Sequence, residues 1–63
     1  MSEDRRYLTY RDAATYLGTT PAALRKRVER GEIPHIKDGR RVRFDRFDLD
    51  AYMRTHRIEA APE

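Results

Sequence analysis

Cysteine is absent from this 63-residue sequence, which excludes a disulfide framework, a thiolate metal site and a cysteine nucleophile. No apolar run approaches the ~20 residues that a bilayer span requires, and no charged-then-apolar leader opens the chain. A soluble, cytoplasmic protein without a membrane partner is expected. Hydrophobic residues make up only 38%, and a chain this short buries only about 60% of the surface its unfolded form exposes. One small domain follows, with no room for a large catalytic cavity. Of histidine there are two: His35 and His56 have neither a third ligand nor a paired carboxylate at a recognisable spacing. No metal, cofactor or catalytic residue is therefore expected, and an enzyme is the least supported class. There is no internal repeat and no heptad seam, so a monomer is the default off its ligand.

What the chain does have is charge. Fourteen Lys and Arg face eleven Asp and Glu, a formal net charge of +3. The excess is local: residues 25–43 hold eight basic groups against three acidic ones. That concentration suits a polyanion, and nucleic acid fits better than a membrane because the segment lacks a long amphipathic helix with a bulky apolar face. The plain alternative is a solvated charged surface, the commoner fate of Lys and Arg.

Helix signals come first. Thr9 can cap, Asp12 sits at the third helical position near the exposed amides, and Leu8 precedes the cap. Tyr10, Ala13, Ala14 and Leu17 then keep the i, i+3, i+4, i+7 spacing of one buried face, and Gly18 can take the left-handed conformation that ends a helix. A second helix starts at once, with Thr20 as cap and Pro21 at the first helical position, where its missing N–H costs nothing. Leu24 and Val28 face inward, Arg25, Lys26, Glu29 and Arg30 lie outward, and Arg27 falls at the boundary. The spacing predicts a helix over Pro21–Arg30, about 15 Å long, with small Ala22 and Ala23 at its N-terminal end. Two short helices joined through Gly18 and Thr19 read as a helix-turn-helix; an αα-corner in some other small fold is the alternative, and the basic face on the second helix argues for DNA.

Residues Ile33–Phe44 change character, with Pro34, β-branched residues and Asp38-Gly39 arguing a hairpin. A three-residue loop Lys37-Asp38-Gly39 pairs Ile36 with Arg40 and puts Ile36, Val42 and Phe44 on one face, His35, Arg41 and Arg43 on the other. A two-residue Asp38-Gly39 loop would scramble apolar and basic positions. A third helix begins at Asp45, with Phe44 able to staple onto Leu49 across the cap; Leu49, Tyr52, Met53 and His56 form its inner stripe, while Arg46, Asp50 and Arg54 stay wet. The expected fold is mainly α with a β-hairpin wing, a winged helix-turn-helix spanning 7–57 between flexible tails at 1–6 and 58–63. Tyr7, Tyr10, Tyr16 and Tyr52 are expected at core edges rather than as base-stacking platforms.

The run Leu8-Thr9-Tyr10-Arg11-Asp12-Ala13-Ala14-Thr15-Tyr16-Leu17-Gly18, the cap Thr20-Pro21, the segment Arg30-Gly31-Glu32-Ile33-Pro34, the basic hairpin and the closing Phe47-Asp48-Leu49-Asp50-Ala51-Tyr52 together resemble the winged helix-turn-helix domains of phage and plasmid excisionases. These are related to the DNA-binding domains of the MerR regulators. The resemblance implies a non-catalytic architectural protein of a bacterial host's nucleoid, a recombination directionality factor. Such a protein binds attachment-site double-stranded DNA, helps bend it, occupies adjacent sites with further copies of itself, and biases an integrase toward excision.

By residue chemistry and resemblance alike, Ala22, Ala23, Arg25 and Lys26 lie nearest the bases, Thr19 and Thr20 at the backbone, and Arg30 near phosphate. Arg25 and Lys26 are the candidates for guanine. Pro21 and Ala22 depart from the longer or hydroxylated residues often found there, which leaves more of the specificity to shape and phosphate contacts. In the wing, Lys37, Arg40, Arg41 and Arg43 are the candidates, with a pairing of Arg43 to Asp45 or Asp48 as the structural alternative. Two other functions fit the same sequence: a compact MerR-like regulator binding promoter DNA, and an adaptor whose basic helix docks an acidic protein partner.

Overall fold

The computed structural model describes residues 6–58. In chain order the elements are strand β1 (Tyr7–Leu8), helices α1 (Tyr10–Leu17) and α2 (Pro21–Glu29), strands β2 (Ile36–Asp38) and β3 (Arg41–Asp45), and helix α3 (Arg46–Thr55). The strands form a small antiparallel sheet in the order β1-β3-β2, and the architecture is the expected winged helix-turn-helix. The predicted flexible tails lie outside the described residues except for Arg6 and Ile58.

The helix boundaries follow local chemistry. The Thr9 hydroxyl oxygen accepts the Asp12 N–H at 3.2 Å, and that of Thr20 accepts the Ala23 N–H at 3.1 Å. Each satisfies one of the amides that a helix start leaves open. Gly18 ends α1 with φ +76°, while its own N–H reaches the Thr15 carbonyl at 3.2 Å and that of Thr19 the Ala14 carbonyl at 2.8 Å. The same pair of bonds closes α2, from Gly31 to Val28 and from Glu32 to Arg27, both at 2.9 Å. Both ends are Schellman turns, and α2 stops one residue earlier than the spacing predicts, at Glu29, with Arg30 as its cap. A Cβ placed on Gly18 would meet nothing within 4 Å, so its role is conformational alone. Gly18→Ala is expected to lower unfolding free energy by about 1–2 kcal/mol, the cost of a left-handed L-residue, as read by urea denaturation; an unchanged midpoint would contradict it.

The core is one cluster: Leu8, Ala13, Ala14, Leu24, Ile33, Phe44 and Leu49 are buried, with Tyr10, Leu17, Val28, Val42 and Tyr52 packed around them. The two alanines let α1 approach closely, and Phe44, Leu24 and Leu49 fill the space as its largest fully buried side chains. Phe44 immediately precedes the Asp45 cap of α3 and Leu49 follows four residues after it, so both members of the expected staple belong to this cluster. Met53 and His56 depart from the expected inner stripe. Met53 is 47% exposed, and His56 is the exposed cap residue of α3, its Nδ1 2.8 Å from the Tyr52 carbonyl. The helix is only ten residues long, and beyond Tyr52 its end runs past the core that one turn earlier holds Leu49.

Strand β1 is not predicted by the sequence pattern. Two residues carry no alternation to read, yet Tyr7 pairs with Asp45 and Leu8 with Phe44, which is how Leu8 reaches the core. Arg6, assigned by sequence to a fraying segment, is held at the same junction. Its carbonyl accepts the Arg46 N–H at 2.7 Å, and its guanidinium contacts the Asp45 carboxylate at 3.1 Å while lying over the Phe47 ring at 4.7 Å. Asp45 also caps α3 by accepting the Phe47 N–H at 3.0 Å. Strand β3 therefore passes into α3 with no intervening loop residue.

The hydrogen bonds from Arg6 hold the Asp45 carboxyl below its usual range, aided by the Phe47 N–H and opposed by desolvation. A carboxylate whose folded pKa is depressed adds stability that is present above the unfolded value and is lost as pH falls through the folded one. The loss is expected below about pH 4. Asn caps helices as well as Asp, so Asp45→Asn isolates the ion pair: its acid-denaturation limb is expected to be shallower than that of the wild type. Identical limbs would contradict the linkage.

The wing register differs from the expected one. Ile36 pairs with Arg43, Lys37 with Val42 and Asp38 with Arg41, leaving a two-residue turn of Gly39 and Arg40. Gly39 has φ +64° and, among the described residues, no non-glycine residue has a positive φ, the requirement of a type II′ turn with glycine first. Cross-strand partners share a face, so Ile36 and Asp38 lie with Arg41 and Arg43, and Lys37 lies with Val42 and Phe44. The three-residue loop rested on drawing Ile36 to the core. Strand β2 is the outermost strand and exposed along its whole length, so burial exerts no pull on its register and the turn decides it.

Candidate nucleic-acid interface

Helix α2 and its cap carry three of the seven basic candidates, Arg25, Lys26 and Arg30. At 100° per residue, Leu24 and Val28 point into the core and Ala22, Lys26 and Arg30 form the opposite, outermost line. Ala22, Lys26 and Arg30 are exposed, Ala23 and Arg27 half-buried on one shoulder, Arg25 and Glu29 exposed on the other. The N-terminal half thus presents small side chains and two long cations, a profile that can enter a groove without steric hindrance. Thr20 is exposed and uses its hydroxyl oxygen as the cap acceptor, which leaves its O–H able to donate to a phosphate. Thr19, half-buried, gives its N–H to the Schellman turn, so only its side chain is available.

The cations differ in how they are held. Among the described residues the Lys26 side chain has no ion pair or hydrogen bond. Arg30 approaches Glu32 at 4.0 Å with both side chains at least half exposed, a contact too weak and too screened to withhold it from a phosphate. Arg25 is placed over the Tyr10 ring, its Cζ 4.7 Å from the centroid. Tyr10 in turn meets Phe44 edge-on, centroids 5.2 Å apart at 72°. Sequence spacing gave Tyr10 to the core face of α1 and stopped there, because which side chain of α2 crosses that ring depends on how the two helices pack.

In the wing, Arg40 stands in the turn, and Lys37, Arg40 and Arg41 are exposed. Arg43 is half-buried and donates to the Val42 carbonyl at 3.1 Å. Its alternative partner Asp45 is engaged by Arg6 instead. The observed register splits the four: Arg41 and Arg43 lie on the sheet face away from the buried Phe44, and Lys37 on the same face as Phe44, with Arg40 between them at the tip. The segment linking α2 to the wing is anchored by Ile33, only 3% exposed, and His35 turns back to the Ile33 carbonyl at 3.0 Å. Both histidines are thus occupied with nearby backbone carbonyls.

Among the described residues no group of three or more His, Cys, Asp or Glu could hold a metal ion, and no helix is long and apolar enough to cross a membrane. One packed scaffold thus carries two exposed cationic elements, a capped helix and a hairpin tip. A helix-turn-helix domain family matches residues 7–57. The chain belongs to that family, a DNA-binding domain family that includes excisionase-like proteins and is typically non-catalytic. No curated protein and no solved structure matches the chain.

Proposed function

We propose that the protein is an excisionase-type architectural factor that binds attachment-site duplex DNA and directs an integrase toward excision. The observation that carries the reading is the exposed line Ala22, Lys26, Arg30 with Arg25 on its shoulder, opposite the core residues Leu24 and Val28 of a capped helix. Such a helix seats its N-terminal half in the major groove, with Thr19 and Thr20 at the flanking backbone and Arg30 on a phosphate. The hairpin then follows the adjacent backbone or minor groove. Arg40 at the tip and Lys37 on the helix-ward face are its leading contacts, and Arg41 and Arg43 meet phosphates on the far side.

A single module of this size makes too little surface for high specificity, which favours several copies on adjacent sites. Phosphate contacts from four or five cations give a log–log salt slope of about −4; a flat titration would refute phosphate-driven binding. The deciding experiment is integrase-mediated excision with and without the protein. Stimulation supports the proposal, and indifference alongside duplex binding would transfer the protein to promoter regulation.

A further inference from the structure

We propose that Tyr10, on the first helix and outside the recognition helix, is a positioning residue that presents Arg25 to a guanine and so contributes to sequence preference. The inference rests on the DNA-binding reading above and deepens it. Arg25 is exposed and, among the described residues, the one cation of α2 placed over an aromatic ring. Cation–π attraction restrains a guanidinium without using its N–H donors, which match the O6 and N7 acceptors of guanine. The platform is itself supported: Tyr10 packs on the core and is braced edge-on by Phe44, which is fully buried. A long arginine on an exposed helix ordinarily loses much rotamer freedom when it binds, and restricting it beforehand raises both affinity and selectivity. Lys26, on the outermost line and without such a support, is left as a mobile point charge suited to phosphate.

The test uses a duplex carrying a site that the wild-type protein selects from random sequence, with each guanine replaced in turn by 7-deazaguanine, which lacks the N7 acceptor. Wild type is expected to lose about tenfold in affinity at one guanine, within the range of a bidentate contact. Arg25→Ala and Arg25→Lys lose that sensitivity. Tyr10→Phe keeps it, and Tyr10→Leu reduces it to threefold or less. In the Arg25→Ala background, Tyr10→Leu adds nothing. In free protein the Arg25 δ-protons are expected to be shifted upfield by the Tyr10 ring in wild type and Tyr10→Phe.

Wild-type discrimination by Tyr10→Leu, an equal effect of Tyr10→Leu with Arg25 already removed, or full discrimination by Arg25→Lys would each overturn the proposal. Should Tyr10→Leu fail to fold, the ring-current shift and the Arg25→Lys variant decide. Wild-type protein with no affinity for any duplex would instead remove the DNA-binding reading, and this inference with it.

Discussion

Reversing both charges on the recognition helix, Arg25→Glu with Lys26→Glu, is expected to lower affinity for duplex DNA by at least about 100-fold at moderate salt. Losing a guanine contact costs about 1–3 kcal/mol, and two carboxylates set against the phosphates add repulsion to the loss of attraction. Together these exceed the ~2.8 kcal/mol that 100-fold represents. The salt slope should also become shallower by about 1, for the Lys26 charge withdrawn from a phosphate. Both side chains are exposed and neither makes an ion pair among the described residues, so the fold should persist, as circular dichroism would record. Fluorescence anisotropy on a labelled duplex gives the affinities. Binding retained by a folded double variant would remove α2 from the groove and favour an acidic protein partner.

Phe44→Ala is expected to unfold much of the population at room temperature. Phe44 is fully buried, sits on the central strand, braces Tyr10 and shares the core with Leu8, Leu24 and Leu49. Truncating a buried phenylalanine costs about 3–5 kcal/mol, against a total of about 3–9 kcal/mol for a domain of this length. Ile36→Ala, on the outer strand and 39% exposed, is expected to cost under about 1 kcal/mol, because little apolar area leaves water there. Urea melts of the two variants separate these cases. Comparable losses would mean that the wing is packed far more tightly than its exposed outer strand indicates.

The contrast between those two residues also explains what the sequence made legible. The caps Thr9, Thr20 and Asp45, the stop at Gly18 and the inward positions Ala13, Leu24 and Leu49 all depend on chemistry within a few residues, and the structure agrees with each. The two-residue strand β1 and the bond between Arg6 and Asp45 depend on partners 36 to 39 positions away in a pairing that no local period announces. The hairpin register failed for a different reason. Hydrophobicity alone draws Ile36 toward the core, but the outer strand offers nothing to bury against. Within the candidate site, the outward disposition of Arg25, Lys26 and Arg30 was readable from helical spacing. The placement of Arg25 over Tyr10 was not, since it exists only once α1 and α2 have packed.

The direct passage of β3 into α3 leaves the wing and the third helix without a slack residue between them. Arg6 fastens that junction through Asp45, and the residues on either side of it, Phe44 and Leu49, are both locked in the interior. A displacement of the hairpin would thus be felt by the core directly rather than dissipated in a hinge.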